Sequence, residues 1–180
     1  VVGATALSMA GGVPLGIWAA HKPKVWRVTQ PILDLMQTMP TFVYLIPVLI
    51  LFGLGMAPGL IVTVIFAAPA PIRLTHLGIT SVPKAMIEAG QAFGATKRQL
   101  LWKVELPAAE KTLLLGLNQV VMQTLAMAVI ASLVGASGLG QKLLFSLQQL
   151  QIGKAVEQGV AITLIAIVLD RMTQAFMQRQ

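Results

Sequence analysis

Apolar residues run through this chain in long blocks, and short clusters of charge, glycine and proline separate them. The first block covers 1–20 and is closed by His21-Lys22-Pro23-Lys24. No charge appears in the 38 residues between Asp34 and Arg73. That is too long for one membrane crossing and about right for two, since a spanning helix needs about 20 mostly apolar residues. Gly53-Leu54-Gly55-Met56-Ala57-Pro58-Gly59 supplies the turn between them, glycine and proline being the strongest breakers of regular structure. The 30 uncharged residues between Lys111 and Lys142 hold a fourth helix and then a loop at Gly135-Ala136-Ser137-Gly138-Leu139-Gly140. Only 12 residues separate Glu157 from Asp170, and 12 residues rise only ~18 Å as a helix. The fifth helix must therefore extend past its charged ends, with Asp170 and Arg171 at the interface. The pattern predicts an all-α polytopic membrane helix bundle, a single domain over 1–180. Its helices fall at about 1–20, 32–52, 60–80, 112–134 and 155–176, with a cytoplasmic loop at 81–111 and an outer loop at 135–154.

Composition supports this reading. Of the 180 residues 56% are hydrophobic and 11% charged, against about 25% charged in a soluble domain. Val1 to Ala20 has neither a charged leading region nor a small-residue cleavage site, so it is read as a crossing and not as a signal peptide. The net charge of +7 would suggest nucleic acid in a soluble protein, but here the basic residues lie between apolar runs. Lys and Arg are retained on the cytoplasmic side of membranes. With the first residue outside, eleven of the 13 basic residues are cytoplasmic and only Lys142 and Lys154 are outside. The amino terminus is therefore expected outside and the carboxyl terminus in the cytoplasm. The absence of cysteine excludes disulfides, thiolate metal sites and cysteine nucleophiles.

Within 81–111 the local signals describe two short helices. Ser81 can cap the first, with Pro83 in its first turn, and Gly94 can stop it in a left-handed conformation. Thr96 and Gln99 form a capping-box pattern that starts the second, and Pro107 ends it. Met86, Ala89, Gly90 and Phe93 share one face of the first helix, where small residues let another backbone approach. Two readings remain open on this pattern alone: a helix lying on the membrane surface, or one that docks a partner.

Glu88-Ala89-Gly90, then Gly94, then Val104-Glu105-Leu106-Pro107 resembles the cytoplasmic loop of ABC-importer permeases: Glu-Ala-Ala, three residues, Gly, nine residues, Ile-x-Leu-Pro. Both spacings are kept, with Gly90 for the second Ala and Val104 for Ile. Asp34 to Leu45, Ile72 to Thr75, Gly138 to Gln141 and Ile167 to Gln174 are similar to the glycine betaine/proline betaine branch of that family. The resemblance implies a type I ABC importer permease fold, with Glu88, Ala89, Gly90, Phe93, Gly94, Ala95, Leu106 and Pro107 coupling to an ATPase subunit. It also implies a second permease copy, an extracytoplasmic substrate-binding protein, and a bacterial or archaeal cytoplasmic membrane. ATP and Mg would be held by the ATPase partner, with no cofactor, metal or catalytic residue on this chain. The expected cargo is a quaternary ammonium osmoprotectant such as glycine betaine, proline betaine or choline; an amino acid or methylated amine is the alternative.

Prolines 40, 47, 58, 69 and 71 crowd the second and third helices, either as plain kinks or as bends that line a path. Gln37, Thr38, Pro40, Tyr44, Asn118 and Gln123 are the candidate translocation-path residues. For the polar cluster Asn118, Gln119, Gln123 and Thr124, interhelical hydrogen bonding competes with substrate contact. Gly135 to Lys142 misses a phosphate-binding loop, because Gln141 separates Gly140 from Lys142 and Leu143 follows. His21 and His76 lack metal-ligand spacing, and Trp18, Trp26 and Trp102 read as interfacial anchors. A secondary transporter would carry midplane ionisable residues and repeated halves, whereas Asp34, Arg73 and Asp170 are expected at helix ends. A non-transporting scaffold would not need the loop spacing.

The orientation is directly measurable, because a cysteine-free chain gives no background labelling. Met56→Cys is expected to react with an impermeant thiol reagent from outside, and Lys97→Cys only after permeabilisation. The reverse pattern would invert the topology.

Overall fold

The computed structural model describes residues 1–132 and 135–178, and among these the regular structure is helical throughout. The helices are α1 (Val2–His21), α2 (Pro23–Thr38), α3 (Thr41–Phe52), α4 (Met56–Ala67), α5 (Pro69–Thr80), α6 (Lys84–Ala92), α7 (Lys97–Leu100), α8 (Leu106–Ala131), α9 (Leu139–Gln148) and α10 (Ile152–Gln178). Four stretches are long and apolar enough to cross a membrane: Val2–His21, Met56–Thr80, Lys97–Ala131 and Ile152–Ala175. If the bent pair α2 and α3 is one broken span, the total is five.

Helix α5 occupies the centre, packed chiefly on α1 and α8. The buried face of α1 is a stripe of small residues, Ala4, Ser8, Gly12, Gly16 and Ala19, of which Gly12 and Gly16 meet α5. At two of these positions the backbones nearly touch. A Cβ at position 12 would lie 2.4 Å from Pro71 Cγ, and one at position 16 would lie 2.6 Å from Thr75 Cβ and 2.7 Å from the Ile72 carbonyl. On the other side Gly78 fits against Ala109 and Thr112, and Gly116 against Leu74. Within lipid, where apolar surface gains nothing by leaving the tails, such small-residue contacts are what allow helices to associate closely. A hydrophobic cluster of Tyr44, Leu45, Val48, Val62 and Met127 closes α3 over α4 and α8.

Several expected boundaries change. The crossing at 32–52 is not one straight helix: α2 and α3 meet at a 99° bend. Pro40 has no N–H to donate and pushes Met39 into an extended conformation (φ −70°, ψ 133°). The Tyr44 hydroxyl then donates to the Met36 carbonyl across the break. The turn after α3 is built on Gly53 and Gly55, both at positive φ (72° and 147°), which only glycine adopts readily. Residues 135–154 are not simply a loop, because Gly138 starts α9 and α10 begins at Ile152. The last two residues of the expected helix at 112–134, Leu133 and Val134, lie outside the described residues, as does Arg179.

Charged residues also move from helix ends to interiors. Arg73 lies within α5 and pairs with Asp34 of α2 at 2.5 Å. Asp170 lies within α10, which at 27 residues rises about 40 Å, and it accepts from Asn118 at 3.2 Å and Gln174 at 2.7 Å. Trp26 stacks on His76 at 3.6 Å, while Trp18 and Trp102 stay exposed.

Candidate functional site

The segment expected to couple to a partner starts in a way its sequence did not suggest. Ser81 does not cap α6: its hydroxyl donates to Leu77 at the end of α5, and Pro83 stands at the N-cap. The far end matches. Gly94 is left-handed (φ +76°), the Ala95 N–H donates to the Gly90 carbonyl at 3.1 Å, and the Gly94 N–H donates to Gln91 at 2.9 Å. These two bonds are the Schellman closure of a helix end. Two residues later Thr96 and Gln99 form the capping box, Thr96 N–H to Gln99 Oε1 at 2.9 Å and Gln99 N–H to Thr96 Oγ1 at 3.3 Å. Helix stop and helix start sit back to back, so α6 is held at a fixed angle to the next helix.

From Lys97 to Ala131 the chain forms one continuous helical stretch of 35 residues. Pro107 therefore does not end a helix. The π-helical turn Leu101–Glu105 precedes it, with the Leu106 N–H donating to the Leu101 carbonyl. This wider turn absorbs the proline that a strict α-helix would reject. All six charged residues of this stretch lie between Lys97 and Lys111, and the uncharged residues 112–131 match the roughly 20 needed to cross. The charged foot therefore projects about 20 Å beyond the hydrocarbon core, by helical rise.

Helix α6 lies against this foot through one small residue. A Cβ at position 90 would lie 2.8 Å from Leu100 Cδ1 and 3.6 Å from Val104 Cγ2, so Gly90 faces inward. The shared face inferred from spacing is thus divided, since Glu88, Ala89 and Met86 point to solvent and Phe93 is 93% exposed. No α6 residue is buried. Ala95 and Leu106 are half-buried and Pro107 is exposed on the foot. Phe93 stands at the C-cap of α6 with its ring almost wholly exposed.

The candidate path residues fall on different helices. Gln37, Thr38 and Pro40 are exposed at the α2–α3 corner, and Tyr44 is buried there with its hydroxyl engaged. Asn118 donates to Asp170 and accepts from Thr173 at 2.8 Å, and Thr124 bonds Thr5 of α1 at 2.9 Å. For these two the interhelical reading holds. Gln123, one helical turn before Met127, has its Oε1 buried without a partner. Two polar ties were not anticipated: Asp34 with Arg73, and His21 with Glu105 at 2.9 Å.

These features define an integral membrane helix bundle that carries an exposed, rigidly held arm. The family described as "Binding-protein-dependent transport system inner membrane component" matches residues 12–180, and the chain belongs to it. The glycine betaine transport system permease protein OpuAB of Bacillus subtilis (strain 168) is 54% identical over 93% of this chain and 60% of its own length. The glycine betaine/proline betaine permease ProW of Escherichia coli (strain K12) is 52% identical over 91% of this chain and 46% of its own. The chain thus spans about half the length of these relatives. The fold is that of a solved MetNI methionine ABC transporter chain, with a TM-score of 0.84 over 98% of this chain and 88% of that one at 21% identity.

Gly94 has open space around its Cα, so a substitution there tests backbone conformation alone. Gly94→Val is expected to cost about 1–2 kcal/mol of left-handed strain and to lower transport while insertion in the membrane is unchanged. Uptake equal to the parent chain would show that the angle of α6 is immaterial.

Proposed function

We propose that the chain is the translocation subunit of an ATP-driven importer for a quaternary ammonium osmoprotectant, glycine betaine being the first candidate. The observation that carries the coupling part is α6, an exposed helix fixed by Gly94 and the Thr96 capping box at the tip of a 35-residue helical stretch. Rigid-body motion of a docked ATPase would pass through that arm into the membrane. Glu88, Ala89 and Phe93 make the contact, Gly90 and Ala95 hold α6 to the foot, and Leu106 and Pro107 belong to the lever. The ATPase partner holds ATP and Mg; a second permease copy completes the pore, and a substrate-binding protein delivers solute from outside a bacterial or archaeal cytoplasmic membrane.

The substrate class is supported by the betaine permeases among the relatives. A compact zwitterion also suits a bundle in which the intramembrane charges Asp34 and Arg73 neutralise each other. Gln37, Thr38, Pro40 and Gln123 remain the path candidates, offering weak contacts from which solute can leave. A methylated amine is the second reading, because the trimethylamine N-oxide permease TmoV of Pelagibacter ubique is 44% identical over 98% of this chain.

Reconstituted with its ATPase and binding protein, the complex is expected to take up labelled glycine betaine only when ATP is supplied, with choline, carnitine and methionine as comparison solutes. Uptake confined to methionine or another primary amine would overturn the substrate class and leave the permease reading standing.

A further inference from the structure

The most deeply buried carboxylate in the charged foot belongs neither to the exposed face of α6 nor to the candidate path. Glu105 is 5% exposed and lies on the π-helical turn, the least regular part of the long stretch. A buried charge is costly unless paired. Its partner is His21, the last residue of α1, whose Nε2 stands 2.9 Å from Glu105 Oε2 while its own side chain is 44% exposed.

The other ring nitrogen fixes the chemistry. His21 Nδ1 lies 2.9 Å from the Ile17 carbonyl, and a carbonyl oxygen only accepts, so Nδ1 carries a hydrogen. If Nε2 were bare, its lone pair would face a carboxylate oxygen at contact distance. Where His21 is protonated, the contact is an imidazolium–carboxylate pair. Oε2 has no aligned hydrogen-bond donor, so the attraction is chiefly one of charge.

The position of the pair gives it mechanical meaning. Helix α1 is tied to the long stretch at both ends, by Thr5 to Thr124 and by His21 to Glu105. Between the ties α5 is gripped through Gly12 and Gly16. Helix α6 bears on Leu100, five residues before Glu105, through Gly90.

We propose that His21 and Glu105 are positioning residues of transport, an electrostatic clasp that carries displacement of the coupling arm into α1, so that α1, α5 and α8 move as one body. This rests on the reading of the chain as an ATPase-coupled permease. A clasp that serves only to stabilise the fold would change the amount of assembled complex and leave the work of each assembled complex unchanged. A clasp that transmits motion changes the number of solute molecules moved per ATP hydrolysed.

The test uses the full complex in vesicles, with ATP hydrolysis and labelled glycine betaine uptake measured on the same preparation. His21→Ala and Glu105→Gln are each expected to lower the solute-to-ATP ratio by about tenfold, a modest loss for a charge pair with one exposed partner. The double variant is expected to be no worse than either single one, because the two residues act as a unit, and His21→Arg, which keeps a cation, should recover most of the ratio. His21 is half in water, so its variants decide the matter even if Glu105→Gln fails to assemble. Ratios equal to the parent complex, or losses that multiply in the double variant, would overturn the clasp. A parent complex without ATP-driven uptake would instead overturn the permease reading, and the clasp with it.

Discussion

The rest of the bundle depends on the backbone contact that α5 makes with α1 on one side and α8 on the other. In lipid the apolar effect that collapses soluble proteins is absent between helices, and association depends on how closely surfaces meet. Gly12 and Gly16 let Pro71 and Thr75 approach to distances that no Cβ would permit, and Gly78 of α5 and Gly116 of α8 keep the second contact tight, where an added Cβ would lie 3.1 Å from Ala109 Cβ and 3.3 Å from Leu74 Cβ. The two prolines at the start of α5 are tolerated for the same reason. Pro69 and Pro71 are fully buried, where neighbouring helices and not lipid surround the freed backbone groups. A helix so closely fitted cannot slide independently, and displacement of either neighbour must move it.

Polar ties set the register of that assembly. Thr5 with Thr124 and Asn118 with Asp170 and Thr173 join helices far apart in sequence. Asp34 with Arg73 joins the bent α2 to the centre. Interhelical bonds of this kind contribute about 0.6 kcal/mol each on average, less than the packing around them. Their value lies in direction, because a bond between two side chains holds at one rotation and one height of the helices. The α2–α3 corner is fixed in the same way, by Pro40 breaking the helix and Tyr44 bonding back to Met36.

The apolar stretches, their order and the helix stop and start around Gly94 were legible in the sequence because each has a local cause. Uncharged length sets a span, Gly94 sets a stop, and Thr96 with Gln99 sets a start. What the sequence concealed depended on partners. The bend at Met39-Pro40 could be placed but not measured, since a proline inside a helix either kinks it or breaks it according to what packs beside it. Pro107 read as a terminus because nothing local announces a π-helical turn. Arg73 and Asp170 read as interfacial because their partners, Asp34 and Asn118, come from other helices. The spacing of Gly12 and Gly16 was visible as a small-residue pair, and it was the signal from which the α1 contact face could have been found.

The charged foot, the rigid angle at Gly94 and the bare Phe93 ring leave α6 as an exposed arm, and the proposed function requires that an ATPase subunit cover it. Because the parent chain has no cysteine, Phe93→Cys supplies a single reporter. Its rate of reaction with a water-soluble maleimide should be fast in the permease alone and many times slower in a purified complex that retains the ATPase. An equal rate in both, with the ATPase demonstrably bound, would contradict the claim.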